Sequence, residues 1–190
     1  MSTIVFFDGV SGVGKTRFLD YCRRNYGVSV FSIKQNMTFH DHEIAREFLS
    51  VKNGLKSYKA KLFYFSLWLK LFNDILDSKD KLIFIDRSPA SSILYNGDSN
   101  RIIENTLKEI LGERKIRTIL CDGNTNFVRH NKGLKRNDKL LDHNGVECSY
   151  MLKVWREFKP FGKDWDYIAH MAGYKDSPKR LAEFVFKAIR

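Results

Sequence analysis

Apolar positions along this chain follow two rhythms. Short apolar runs, "TIVFF", "VSVFSI", "KLIFID", "IRTILC" and "DYIAHMA", have the length and the β-branched and aromatic content of buried strands. Between them lie longer stretches in which apolar residues return every three or four positions, the spacing of one helix face. These predict helices from about Lys15 to Asn25, over "HEIAREFLSVK", over residues 55 to 76, up to Leu111 and Gly112, from about Glu147 to Phe158, and at the C-terminal end. In the longest of them Leu55, Tyr58, Leu62, Phe65, Leu69, Phe72 and Leu76 form one apolar face, expected to pack in the core. Gly27 and Gly54 fall where helix C-caps are expected. Ser177 and Pro178 suit a helix start, with serine as the cap and proline at the first helical position.

Strands alternating with helices imply βαβ units and a parallel sheet of about five strands, covered by helices on both faces. A chain of 190 residues fits a single domain and buries a core without disulfide or metal staples. Residues 123 to 145, "GNTNFVRHNKGLKRNDKLLDHNG", lack a clear apolar period and are expected to be a mobile insertion.

The turn between the first strand and the first helix carries chemistry. Gly9-Val10-Ser11-Gly12-Val13-Gly14-Lys15-Thr16 fits the pattern GxxxxGK(S/T), with the strand before it and the helix after it that the pattern requires. Glycines let backbone N–H groups of Gly9, Ser11, Gly12, Val13 and Gly14 fold around an anion, and the helix N-terminus adds the positive end of its dipole. Lys15 then reaches the β- and γ-phosphates of a nucleotide, and Thr16 offers a hydroxyl to Mg²⁺. A second signal is "KLIFIDRSPASSILY", where four apolar residues end in Asp86. Alone, such an Asp is a turn or capping residue; beside the phosphate loop it becomes the Mg²⁺ partner. Arg87 can clamp an acceptor phosphate, because guanidinium binds phosphate oxygens bidentately and keeps its charge. Arg129, Lys132, Lys135, Arg136 and Lys139 make the insertion basic. They read either as a lid that closes over the transferring phosphoryl group or as a solvated loop.

Net charge adds little to this. The excess of 33 Lys and Arg over 22 Asp and Glu, +11 overall, favours polyanionic partners without choosing among nucleotides, nucleic acid and acidic membranes. Cys22, Cys121 and Cys148 show no paired spacing, which points to a reducing compartment and against a zinc site. The N-terminus has no signal-peptide pattern, and the longest apolar stretch, "LFYFSLWLKLF", is about half a membrane span. A cytoplasmic location without membrane insertion is expected. The five histidines have no metal-ligand spacing.

Together these motifs resemble the thymidylate kinase and deoxynucleoside kinase family of P-loop phosphotransferases. "FFDGVSGVGKT" resembles that family's opening strand and loop, "DRSPASSILY" is similar to its pattern of Asp, Arg, Ser and Tyr at Asp86, Arg87, Ser91 and Tyr95, and "RHNKGLKRND" resembles its arginine-bearing lid. The chain departs from thymidylate kinases in having "SIKQNM" after the second strand, Ser66 and Leu67 where the long helix carries Asp-Arg, and Ser88 in place of an aromatic residue.

The resemblance implies a P-loop NTPase three-layer sandwich over residues 1–190, ATP and Mg²⁺ as cosubstrate and cofactor, and Arg87, Ser91 and Tyr95 at the acceptor. Lys15, Asp86, Arg87, Arg129 and Arg136 are the expected catalytic residues, with Thr16 and Asp86 at the metal. The leading expectation is phosphoryl transfer to a deoxynucleoside monophosphate, thymidylate first. A sugar hydroxyl needs a general base, and the second strand ends in Lys34 and Gln35 with no carboxylate before Asp41. The alternatives are a deoxynucleoside kinase that uses Asp86 or another carboxylate as base, and a polynucleotide 5′-kinase or nucleic-acid-associated protein, which the net charge motivates. The resemblance also allows a homodimer through the long helices.

Overall fold

All five apolar runs become strands of one parallel sheet in the computed structural model, which describes residues 2–51, 53–97, 101–135, 138–141, 146–174 and 177–189. The strands are β1 (Thr3–Asp8), β2 (Ser29–Phe31), β3 (Leu82–Asp86), β4 (Lys115–Asp122) and β5 (Tyr167–His170), in the order β2-β3-β1-β4-β5. Each crossover is helical, as parallel neighbours require. The helices are α1 (Lys15–Tyr26), α2 (Phe39–Ser50), α3 (Tyr58–Asp77), α4 (Pro89–Asn96), α5 (Ile102–Leu111), α6 (Thr125–Asn131), α7 (Cys148–Glu157) and α8 (Pro178–Ile189).

Alternation along the central strand divides the core in two. Val5 and Phe7 of β1 join Phe84 of β3 and the buried faces of α1, α7 and α8, while Ile4 and Phe6 join Ile83, Ile85 and the faces of α3 and α5. Strands buried on both sides have to be apolar throughout, which is why they read as runs. This is the three-layer α/β sandwich of P-loop NTPases. Among the described residues no helix is long and apolar enough to cross a membrane.

Three expectations need correction. First, the buried face of α3 is Ala60, Leu67, Trp68, Leu71, Phe72 and Ile75. Of the seven residues assigned to its core face only Phe72 is fully buried, whereas Tyr58 is 76% exposed, Leu62 50% and Leu69 38%. Leu55 lies before the helix, in a 3-10 turn over Gly54–Lys56. Apolar residues occur nearly all round this helix, so its period fits more than one face, and the sheet selects the one led by Trp68, whose indole stacks on Phe72 at 5.4 Å and donates to Ser92 Oγ at 3.0 Å.

Second, Gly54 is no C-cap; α2 ends at Ser50 with Val51 as its cap. A Cβ at Gly54 would lie 2.3 Å from the Phe48 carbonyl oxygen, so glycine is needed there for close approach of backbone. Third, "VSVFSI" gives only three strand residues, because Ser32 accepts a hydrogen bond from Gln35 N–H and turns Ile33–Asn36 into a 3-10 helix. The segment without a clear period contains α6, capped by Asn124. Gly27, in contrast, caps α1 at φ 62°, and Ser177 Oγ accepts from Arg180 N–H at the start of α8, as expected.

Candidate active site

The sheet order puts the end of β1 between β3 and β4, where the chain reverses its direction of growth across the sheet and a ligand crevice opens. From there Gly9, Gly12 and Gly14, at φ 131°, 86° and 97°, turn the chain into α1. Glycine adopts such angles without the cost that a Cβ imposes. At Gly9 a side chain is also excluded sterically, since a Cβ would come 2.3 Å from the Cys121 carbonyl oxygen at the end of β4.

Lys15 opens α1 and is only 5% exposed. Its ammonium donates to the carbonyls of Gly9 at 2.8 Å and Val10 at 2.9 Å, leaving one N–H of its three. Burial, and after it the charge of Arg87, hold its pKa down at about 8. Thr16 Oγ1 donates to Asp86 Oδ2 at 3.0 Å. This contact follows from the sheet register, which sets Asp86 at the end of β3 beside Phe7 of β1. A hydroxyl has a single proton, so giving it to Asp86 leaves the lone pairs of Thr16 for a cation.

The pair fits Mg²⁺, which takes one or two protein ligands and shares the rest of its shell with water and phosphate oxygens. Among the described residues no group of three or more His, Cys, Asp or Glu side chains is placed to hold a metal by itself.

Arg87 occupies a left-handed backbone conformation, φ 78°, that costs a non-glycine residue about 1–2 kcal/mol. Its N–H donates to the Phe7 carbonyl at 2.9 Å, its Nη1 donates to Ser91 Oγ at 3.3 Å, and its guanidinium lies 5.9 Å from the Tyr95 ring centroid. Ser91 and Tyr95, on α4, thus meet Arg87. The Ser91 hydroxyl in turn donates to Asp8 Oδ1 at 3.1 Å, and the same oxygen accepts the Ser88 N–H at 3.0 Å. Asp8 is wholly buried. Burial pushes its carboxyl above the usual range, against the hydrogen bonds from Ser88 and the charges of Arg87 and Lys15. Its Oδ2 has no hydrogen-bond partner among the described residues.

A cavity of about 360 Å³ opens over this arrangement. Its polar lining comes from the phosphate loop, Arg17, Asp86, Arg87 and Asn131, and among the described residues Asp86 is its one carboxylate. Its apolar lining, Phe127 of α6, Met171 and Tyr174 of the turn after β5, and Pro178 and Leu181 of α8, suits a flat ring.

The insertion reaches the loop through Asn131 and Lys132, and not through Arg129. Asn131 Nδ2 donates to the Gly12 carbonyl at 3.0 Å. The Lys132 stem lies over Gly12, where a Cβ would meet its Cγ and Cε at 2.9 Å. Arg129 donates through Nη1 to the carbonyls of Lys135 at 2.7 Å and Asp138 at 2.6 Å, and does not line the cavity. Arg136 lies outside the described residues. Asp8, Asn131 and the apolar wall belong to no motif of the sequence. Only Asp8 left a signal there, as a carboxylate closing an apolar strand.

Fold and loop define the class, a P-loop NTPase fold. No protein-family model matches the chain, and no curated protein matches it. Its fold is similar to that of a thymidylate kinase from Candida albicans, at 14% identity and TM-score 0.63, over 100% of this chain and 94% of that one. It is also similar to a deoxyadenosine kinase from M. mycoides with bound dATP, at 14% identity and TM-score 0.56, over 98% of both chains. A sugar kinase from Janibacter sp. shares the fold at 12% identity and TM-score 0.55, over 98% of this chain and 93% of that one.

Proposed function

We propose that the protein is an ATP- and Mg²⁺-dependent kinase that transfers the γ-phosphoryl group to a deoxynucleoside monophosphate, thymidylate foremost. The observation that carries this is the Thr16 to Asp86 hydrogen bond of 3.0 Å beside Lys15, with Arg87 next in the chain. Around it one cavity gathers a pair suited to a cation, an ammonium and the guanidiniums of Arg17 and Arg87, which supports the reading. Lys15 holds the donor phosphates, Thr16 and Asp86 hold Mg²⁺, and Arg87 fixes the acceptor phosphate. When bound, Mg²⁺ neutralises charge on the donor phosphates. The apolar wall takes the donor base, and residues 123 to 145 act as the lid of one domain spanning 1–190, Arg136 included, with Arg129 joining only when closure exchanges its contacts to the Lys135 and Asp138 carbonyls.

Two points favour a phosphate acceptor over a sugar hydroxyl. Among the described residues Asp86 is the one carboxylate lining the cavity, and its Oδ2 accepts from Thr16, which favours a role at the cation over that of a base for a hydroxyl. A phosphate oxygen is anionic and needs only positioning and charge neutralisation. The spacing of Asp86, Arg87, Ser91 and Tyr95 and the likeness to a thymidylate kinase fold support thymidylate. The exposed Tyr58, Leu62 and Leu69 of α3 are compatible with a homodimer.

The test is turnover of Mg-ATP with each deoxynucleoside monophosphate and each deoxynucleoside, followed by chromatography of both products. Monophosphate-dependent ADP release that falls at least about a hundredfold in Lys15→Ala and Asp86→Asn is expected. Near-wild-type turnover in Lys15→Ala sinks the assignment, and turnover on nucleosides alone moves it to the hydroxyl acceptor.

A further inference from the structure

Asp8 takes no part in the chemistry above, yet it is a wholly buried carboxylate at the edge of the site with one oxygen unpartnered among the described residues. Taking such a group out of water is costly unless its surroundings use its charge. Its bonded oxygen has two partners, and both belong to the turn that presents Arg87. One is the Ser88 N–H, the peptide that follows the left-handed Arg87. The other is the Ser91 hydroxyl, one helical turn further on.

The second contact has a direction. Serine carries one hydroxyl proton, and Asp8 Oδ1 accepts it at 3.1 Å. With its proton committed to Asp8, Ser91 Oγ must turn a lone pair outward, and Arg87 Nη1 donates to it at 3.3 Å. A single carboxylate oxygen thereby fixes the strained backbone of Arg87 and the direction of its guanidinium. The Tyr95 ring, 5.9 Å from that guanidinium, supports it from a further side.

We propose that Asp8 is the positioning residue for Arg87, acting through the Ser88 N–H and the one-way chain from Arg87 to Ser91 to Asp8, and that it sets affinity for the acceptor phosphate and not for the donor nucleotide. The proposal rests on the reading of Arg87 as the acceptor-phosphate clamp. Asp8 touches no substrate in this scheme. It holds in place the group that does, and a shift of about 1 Å in such a group is enough to cost binding or turnover heavily.

The experiment is calorimetric titration of dTMP, with Mg-ADP titrated separately, into wild type, Asp8→Asn, Ser91→Ala, Arg87→Ala and the Arg87→Ala/Ser91→Ala double variant. Each variant is first melted by circular dichroism. Asp8→Asn keeps the shape but loses the charge that orients the Ser91 hydroxyl. Ser91→Ala removes the link with a smaller change, and carries the test if the Asp8 variant does not fold. Each single variant is expected to bind dTMP about tenfold more weakly, with Mg-ADP affinity within about twofold of wild type. Ser91→Ala is expected to add nothing to Arg87→Ala, since both cut the same chain.

A general loosening of the fold would lower both affinities and would add to Arg87→Ala, which overturns the proposal. Wild-type dTMP affinity in Ser91→Ala and Asp8→Asn, with weakened binding in Arg87→Ala, overturns it too but leaves the clamp intact. Unchanged dTMP binding in Arg87→Ala, or none in wild type, brings down the clamp reading itself.

Discussion

Replacing Gly9 by alanine tests how the phosphate loop is seated on the sheet. Two costs add. At φ 131° a side chain is strained, by about 1–2 kcal/mol. The new Cβ would also lie 2.3 Å from the carbonyl oxygen of Cys121, which is backbone and has no rotamer to retreat into. Relief requires the loop and β4 to separate by about 1 Å, an overpacking cost of about 1–3 kcal/mol.

The total, roughly 2–5 kcal/mol, corresponds to a fall in Tm on the order of 10 °C for a domain of this size. Gly14→Ala is the control. It has a similar angle, φ 97°, but its Cβ would meet the Met171 methyl at 3.6 Å and Asn131 Nδ2 at 3.9 Å, both ordinary contacts with side chains. It is expected to cost about 1–2 kcal/mol. Urea denaturation of both variants and wild type, with circular dichroism as the signal, measures the difference. Equal destabilisation, or a larger loss in Gly14→Ala, would refute the close approach of Gly9 to β4.

Further outcomes follow from the same structure. Lys15, with its pKa near 8, is partly deprotonated at pH 8.5 in the free protein. Bound nucleotide phosphates raise that value, so binding takes up a proton there, and the uptake fades below pH 7 where the free lysine is already charged. Calorimetry of ADP binding in two buffers of different ionisation heat measures the uptake. It disappears in Lys15→Arg, and its absence in wild type at pH 8.5 would contradict the buried ammonium. On α3, Trp68→Ala should cost about 3–5 kcal/mol and Tyr58→Ala less than about 0.5 kcal/mol, because the first is 1% exposed and the second 76%. The reverse order in a denaturation series would restore the other face of α3 to the core.

The strands and the phosphate loop were legible for separate reasons. A strand buried on both faces has to be apolar in nearly every position, so "LIFI" and "IVFF" announce themselves. The loop needs glycine at its left-handed positions, and that need is written in residue type. The face of α3 was not legible, since "LFYFSLWLKLF" offers apolar residues on every side and only the sheet decides between them. Asp8 escaped because its partners Ser88 and Ser91 are 80 and 83 residues away, and nothing local marks them as such. Arg129 looked available as a charge on a loop, but the path of that loop presents it with two carbonyls of its own segment. The apolar wall of the cavity draws on α6, α8 and the turn after β5, a convergence that appears only once the sheet is assembled.

Phosphoryl transfer to a nucleotide is tested most directly by incubating the protein with Mg-ATP labelled at the γ-phosphate and with dTMP or thymidine, and identifying the labelled product by mass. Label in dTDP, formed in step with ADP and dependent on Lys15, is the expected result. Label in dTMP from thymidine with none in dTDP, or label released only as inorganic phosphate, would contradict it.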